Sequence, residues 1–442
     1  MRTRHRISPG ICQPIFRALK RKAVHLTAKE RVCALLLQEI ELEPHINYLE
    51  RDDFVIGFED FGWDEGYEKV ADSASVFMLR SVYGTWKQPV AFVFLDWPPD
   101  NCVVARLLTD VTRETKAAGL NLMAYVCNHA DHHVGAIDLL LEETRVQVEM
   151  GAEVETGMLL VEDQAIVPIF DPCMLLTDIR GNFCEGAVVF EKDGVEKVAK
   201  WEHVLQAYEI DKELTQHLSK LTDRHVYPMR INKASVTDTI QVFSSTFSDY
   251  MKTIAGKTSN KTTESLPIEA LETAELIAFL DWIFDSVNGS SQEATGKPLR
   301  GLVTENSPHS QVWQEGKEMF SKMKMLEEDP DFAVTCFLKW PQTLEGFELI
   351  KKRLAKMGYN SFSPRSFHVD PLENCFDLMR EWLHKKKTKY PYLTCTRFST
   401  FYNLAFTSKD VSGCHASQSN CEADGLSFLV TIHDFIQRRN SC

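Results

Sequence analysis

The chain has 442 residues, enough for two or three domains with sizeable cores, and its 44% apolar and 25% charged residues are an ordinary soluble balance. A formal charge of −14 excludes a whole-surface nucleic-acid binder and leaves local basic patches, MRTRHR and RALKRK near the start and HKKKTKY at 384–390. No apolar stretch reaches membrane-spanning length, no secretory apolar core follows the polar opening MRTRHRISPG, and the twelve cysteines form no dense framework, so reduced thiols in cytosol or nucleus are expected.

Residues 10–50 read as an N-terminal helical region, because FRALKRK and TAKERVCALLLQEIELEPHINYLE place Leu35, Leu36, Leu37 and Ile40 on one broad face. FVIGF at 54–58 reads as the first strand, near-continuously apolar and so suited to cover on both sides. VFMLRSVY (76–83) and VAFVFL (90–95) are further strands, with Gly84 and Pro89 assigned to the turn between them. A helix fits 103–118, stopped by Gly119, and LMAYVC at 122–127 is the next strand. HHVGAIDLLLEE (132–143) is helical, AIVPIF (165–170) a strand, and PCMLLTDIRGNF (172–183) a helix. Three strands followed by alternating helix and strand describe an α/β layer with a mixed sheet.

From about 195 to 345 the period becomes helical, as in WEHVLQAYEIDKELTQHLSKL and LETAELIAFLDWIFDSV, which predicts an inserted, mostly α-helical domain. Polar loops interrupt it at 252–267 and 288–301. FELIKKRLAKMGY (347–359) and DPLENCFDLMREWLHKKK (370–387) are the final helices, the second with Asp370 as N-cap and Pro371 in its first turn. The tail from about 406 reads as weakly structured, and its Cys414, His415 and Cys421 lack a zinc-ligand spacing.

Acidic residues gather at element ends: Glu59 and Asp60 after 54–58, Asp131 just beyond Asn128 after 122–127, and Asp171 after 165–170. Glu373 and Asp377 share one face of the helix at 370–387. Strand-end carboxylates joined by a helix-borne glutamate are how a ribonuclease H-like nuclease holds two magnesium ions, which activate the attacking oxygen and steady the leaving one. Acids at strand ends and helix starts also serve as caps, so spacing alone leaves both readings open.

The chain resembles the P-element-like transposases over roughly residues 30–400. VIGFEDF is similar to the family's first catalytic strand and places Glu59 at an expected aspartate. YGTWKQPVAFVFL is similar to the segment that follows. LNLMAYVCNHADHH places Asn128 at the second catalytic aspartate, and FHVDPLENCFDLMR places Glu373 at the catalytic glutamate. IVPIFDPCMLLTDIRGNF resembles the family's aspartate–proline–histidine–leucine–leucine motif, with Met174 in place of the histidine. The resemblance implies an RNase H-like mixed sheet with flanking helices, interrupted by a helical guanosine-nucleotide-binding insertion at about 195–345. It also implies ancestral DNA transposition, magnesium and GTP as cofactors, self-association and a nuclear setting. No C-x2-4-C…C-x2-H module precedes the helical region in these residues, so the zinc-coordinating THAP-type DNA-binding domain of the family's amino end is not expected within them.

The departures shape the expected function. Glu59 keeps charge but adds a methylene, whereas Asn128 offers a neutral oxygen that cannot bridge two divalent ions. His132 and His133 read as surface or helix-cap residues. One expectation is a transposase-derived protein with little or no strand cleavage, in which Glu59, Asn128 and Glu373 are degenerate catalytic positions. Glu59 and Glu373 are then the remaining magnesium ligands, and DNA is held through backbone contacts. The alternative is an active magnesium-dependent transposase using Glu59, Asp131 and Glu373, and an unrelated α/β protein stays open as a third. The GKT of AGKTSNK (255–261) is no phosphate loop, because Met251 stands where its first glycine belongs.

Overall fold

The computed structural model describes residues 7–50, 53–63, 68–213, 217, 219–233, 235–256, 266–290, 296–326, 334–385, 392–405, 425–431 and 434. It divides the chain into two units, one formed by residues 1–169 with 366–442 and the other by 170–365.

In the first unit the chain runs β1 (Gly10–Ile11), α1 (Gln13–Ala23), β2 (Val32–Glu41), a hairpin of β3 (Asn47–Leu49) and β4 (Phe54–Ile56), β5 (Ser73–Ser81), β6 (Trp86–Leu95) and α2 (Asn101–Ala117). It continues through β7 (Asn121–Cys127), α3 (Asp131–Glu149), β8 (Leu159–Val161) and β9 (Gln164–Phe170). The sheet order is β1-β6-β5-β2-β7-β9-β8. β2 pairs antiparallel with β5 and parallel with β7, so it is the central strand of a mixed sheet.

That centre corrects the expected helical region at 10–50. Only Gln13–Ala23 is helical there, and VCALLLQEIE is a strand. Its apolar run is continuous because both faces are covered: Val32, Cys33, Ala34, Leu35 and Leu36 have no exposed surface. Periodicity cannot distinguish such a run from a buried helix, and its Ala, Leu, Gln and Glu are good helix formers. FVIGF is not a core strand either. Only Phe54–Ile56 is extended, Phe54 and Val55 are exposed, and β4 pairs with β3 alone. Pro89 lies inside β6 rather than in the turn, where Phe77 faces Ala91 but Met78 faces Pro89. That register shift is where a ladder tolerates a missing N–H.

The second unit opens with α4 (Pro172–Glu185), the hairpin β10 (Val188–Lys192) and β11 (Val195–Ala199), and α5 (Trp201–Lys212). It continues with α6 (Asp223–Val226), α7 (Val236–Val242), α8 (Ser245–Ile254), α9 (Ala270–Val287), the short β12 (Val303–Thr304), α10 (His309–Ser321), β13 (Lys324–Met325), α11 (Thr335–Lys356) and β14 (Ser361–Phe362). It is largely helical, as expected. α9 is apolar nearly all round and buried along most of its length, the mark of a core helix. Stacked rings pack α10 against α11, with Phe320 on Trp340 at 5.1 Å and Trp313 on Phe347 at 5.6 Å between centroids. α11 starts twelve residues before the expected helix at 347 and passes through Pro341, so that helix belongs to this unit.

The chain re-enters the first unit with α12 (Asp370–Lys385), α13 (Cys395–Ala405) and β15 (Ser427–Phe428), which pairs with β6. Phe92 and Phe94 of β6 pack against Phe398 and Tyr402 of α13. Most of the tail expected to be weakly structured, including Cys414, His415 and Cys421, lies outside the described residues, as does GKT beyond Gly256. No helix among the described residues is long and apolar enough to cross a membrane.

Candidate functional site

β2 loses its apolar character only at its last turn, in Gln38, Glu39 and Glu41. Parallel register with β7 sets Leu35 beside Tyr125 and Leu36 beside Val126, which carries Gln38 alongside Asn128 just past the end of β7. Successive strand residues point to opposite faces. Gln38 faces α12, donating from Nε2 to Glu373 Oε1 at 3.0 Å. Glu39 faces α3, with its Oε1 2.8 Å from His133 Nε2 and 3.8 Å from His132 Nε2. Asn128, at the strand end, reaches both: its Nδ2 lies 3.4 Å from Gln38 Oε1 and 3.5 Å from Glu39 Oε2.

Asn128 also starts the next helix. Its Oδ1 accepts the backbone N–H of Ala130 at 3.0 Å, a local turn that takes the place of a side-chain cap on α3. That bond fixes the amide's orientation. His133 Nδ1, 2.6 Å from the same oxygen, must therefore carry a proton and donate it. Ser75 on β5, directly opposite Glu39, donates its hydroxyl to Glu39 Oε1 at 2.9 Å. Burial pushes the Glu39 carboxyl up, but the imidazoles of His133 and His132 outweigh it and hold the group well below the usual carboxylate range. The two histidines are not surface residues. Their side chains are 3% and 1% exposed, and the indole of Trp97 packs edge-on to His132 at 4.5 Å. Gly135 of α3 makes room for the Asn101 side chain at the start of α2, which a Cβ there would meet at 2.0 Å.

The expected site residues divide. Asn128 and Glu373 are brought together through Gln38, which the sequence does not single out because its strand has the composition of a buried helix. Glu59 does not join them. Asp60 next to it pairs with Phe94 on the outer edge of β6, two strands from β2, about 10 Å at ordinary strand spacing. The Glu59 carboxylate accepts the backbone N–H of Asp96, and Asp60 accepts that of Gly62. Asp131 is exposed as the first residue of α3, a position where the helix dipole favours an acid. Asp171 caps α4 by accepting from Met174 N, and Asp377 pairs with Arg380. The signal that could have located Gln38 was the abrupt polar end of a six-residue apolar run, Val32–Leu37, too short for most helices.

Comparison with known proteins agrees with this architecture. Residues 7–141 match the family described as TNP-like, RNase H N-terminal domain, and residues 173–298 match TNP-like, GTP-binding insertion domain. The first match includes β2. A human protein, DNA transposase THAP9, is 22% identical over 424 residues, covering 90% of this chain and 43% of that protein, so the chain spans less than half the length of this relative. Among solved structures, the Drosophila P element transposase strand transfer complex shares the fold with a TM-score of 0.70 at 14% identity, covering 92% of this chain and 84% of that one. Central β2 flanked by β5 and β7, the helical unit between β9 and α12, and these matches lead to one assignment: the chain is a distant member of the P-element/THAP9-like transposase family, an RNase H-like mixed sheet carrying a GTP-binding-type insertion domain.

Proposed function

We propose that this protein is a transposase-derived, catalytically silent member of its family, retaining the fold as a DNA- and partner-binding body in the nucleus. One observation carries the reading: where β2, β7 and α12 meet, Gln38, Asn128 and Glu373 converge, two amides and one carboxylate, while the second nearby carboxylate, Glu39, 3.5 Å from Asn128 Nδ2, is engaged by His133 and Ser75. Magnesium needs several oxygens at about 2.0–2.1 Å, charged ones above all, and gives up its water reluctantly. Here Gln38 turns an N–H toward Glu373, so the carboxylate is met by a donor rather than left to a cation. The Asn128 oxygen is already taken by Ala130 N–H and His133. These residues do not fit a two-magnesium centre, and no strand-cleavage step runs through them. Use of Glu59 and Asp131 instead is not supported, since each is engaged or exposed elsewhere.

The same reading extends to the cofactor and to DNA. A cleft of about 670 Å³ in the insertion unit is lined by Tyr208, Lys212, Asp223, Arg224 and Arg230 among others. Its cations are paired: Lys212 with Glu209 and Asp223, Arg224 with Asp238, Arg230 with Asp223. A triphosphate there would have to displace those carboxylates, so GTP is expected to bind weakly. α1 turns Arg17, Lys20 and Arg21 to solvent, a patch suited to salt-sensitive contact with DNA backbone. The deciding experiment incubates the full chain with magnesium and branched or nicked DNA duplexes. No cleaved or joined product is expected, while DNA retention falls steeply with salt and falls further in an Arg17→Glu/Lys20→Glu/Arg21→Glu variant. Magnesium-dependent product that disappears with Glu373→Ala would overturn the assignment.

A further inference from the structure

We propose that Glu39, His132 and His133 form a binding site for a single divalent transition ion of the zinc class, on the α3 face of β2 and separate from the Gln38–Glu373 face. The proposal goes beyond the loss of strand cleavage and does not depend on it. One ligand atom from each of Glu39, His132 and His133 lies within 4.8 Å of the other two. Bonds of about 2.0–2.2 Å in tetrahedral geometry put neighbouring ligands about 3.3 Å apart. The observed 2.8 Å and 3.8 Å separations from Glu39 bracket that value.

Two features mark a built site rather than a chance cluster. His132 Nε2 is buried, makes no hydrogen bond of ordinary length and stands 3.8 Å from the Glu39 carboxylate, a gap that a shared ion would close. The outer contacts are those that orient metal ligands: His133 holds its Nδ1 proton on Asn128 Oδ1, leaving Nε2 for the metal, and Ser75 donates to Glu39. Two imidazoles and one carboxylate favour zinc, cobalt or copper over magnesium. Bound there, the ion would tie the first turn of α3 to the end of β2. The competing state is a buried imidazolium, His133 donating from both nitrogens to Asn128 and Glu39, with no metal.

The test titrates chelator-treated full-length protein with cobalt(II), then zinc, with magnesium as control. The expected result is a tetrahedral cobalt absorption band that saturates at one equivalent, is displaced by zinc and is untouched by magnesium. Glu39→Gln and His133→Gln should each weaken binding by tenfold or more. X-ray absorption at the zinc edge of the loaded wild type should show a nitrogen and oxygen shell with imidazole scattering, a reading that does not require the variants to fold. Absence of the band, a sulfur shell, or binding that survives both substitutions in folded protein would each overturn the proposal.

Discussion

Replacing Gln38 and Asn128 together by aspartate tests the amide argument directly. Gln38 Nε2 lies 3.0 Å from Glu373, and Asn128 Nδ2 lies 3.4 Å from Gln38 and 3.5 Å from Glu39. The double variant converts these approaches into carboxylate pairs. Two unit charges about 4 Å apart repel by about 4 kcal/mol at an effective dielectric near 20, and the lost bond to the Glu373 carboxylate removes a further ~1.5–3 kcal/mol. Relaxation and proton uptake limit the total, so about 3–5 kcal/mol of destabilisation is expected without metal, the usual cost of an uncompensated buried charge. For a unit of this size that lowers Tm by roughly 6–20 °C. Magnesium at about a hundred times its Kd returns ~2.7 kcal/mol. Calorimetric melts with and without magnesium should therefore show a wild type indifferent to the ion and a variant that depends on it. A wild type stabilised as much as the variant, or a metal-free variant as stable as wild type, would refute the reasoning.

Other substitutions probe neighbouring links. Asn128→Ala strands the Ala130 N–H and His133 Nδ1, so urea denaturation should show a loss of about 1–3 kcal/mol for each group, while Asn128→Asp keeps the turn and loses less. Gly316→Ala in α10 would bring a Cβ within 2.5 Å of Ile283 and 2.9 Å of Leu344. Overpacking of ~1–3 kcal/mol should outweigh the ~1 kcal/mol helix-propensity gain and lower the insertion unit's Tm. Burial, reinforced by the charge of Lys351, holds the His309 imidazole below its ordinary value against the bond to the Leu299 carbonyl. The unfolded chain then binds more protons, so stability rises with pH through this window and is lost as pH falls below about 6.5. His309→Gln should flatten that slope, by at most ~1.4 kcal/mol per pH unit, in denaturation curves between pH 5 and 7.5.

Half of the sheet's eight strands were legible. β5, β6, β7 and β9 announced themselves through apolar alternation or runs bounded by turns, and Gly119, at φ +81°, closes α2 where a left-handed residue is needed. Asn128 and Glu373 were legible as partners because each sits where a strand or helix end must fall. β2 was not, since nothing in VCALLLQEIE states whether its neighbours are turns of a helix or strands of a sheet; only the tertiary cover on both faces decides. That single misreading moved the first site position from Gln38 to Glu59. It also hid His132 and His133, whose burial depends on the Glu39 side of the same strand. Histidines in a first helical turn usually face solvent, and the reason these do not lies in β2, ninety residues away.

Glu39 invites the objection that a carboxylate one residue from Gln38 could replace it as a magnesium ligand. Strand alternation answers it. Gln38 and Glu39 leave β2 on opposite faces, one meeting α12 and the other α3, and Ser75 beside Glu39 confirms the side. Two-ion chemistry requires metals about 3.5–4 Å apart, linked through shared oxygens. Glu39 meets His133 at 2.8 Å and Glu373 meets the Gln38 amide at 3.0 Å, and Asn128 Nδ2 stands between the two sides, 3.4 Å from Gln38 and 3.5 Å from Glu39. The consequence is a directional prediction for the Gln38→Asp/Asn128→Asp protein. Adding Glu373→Gln should abolish its magnesium response, whereas adding Glu39→Gln should leave it within experimental error while removing cobalt binding. The opposite pattern would place magnesium on the α3 face and merge the two sites into one.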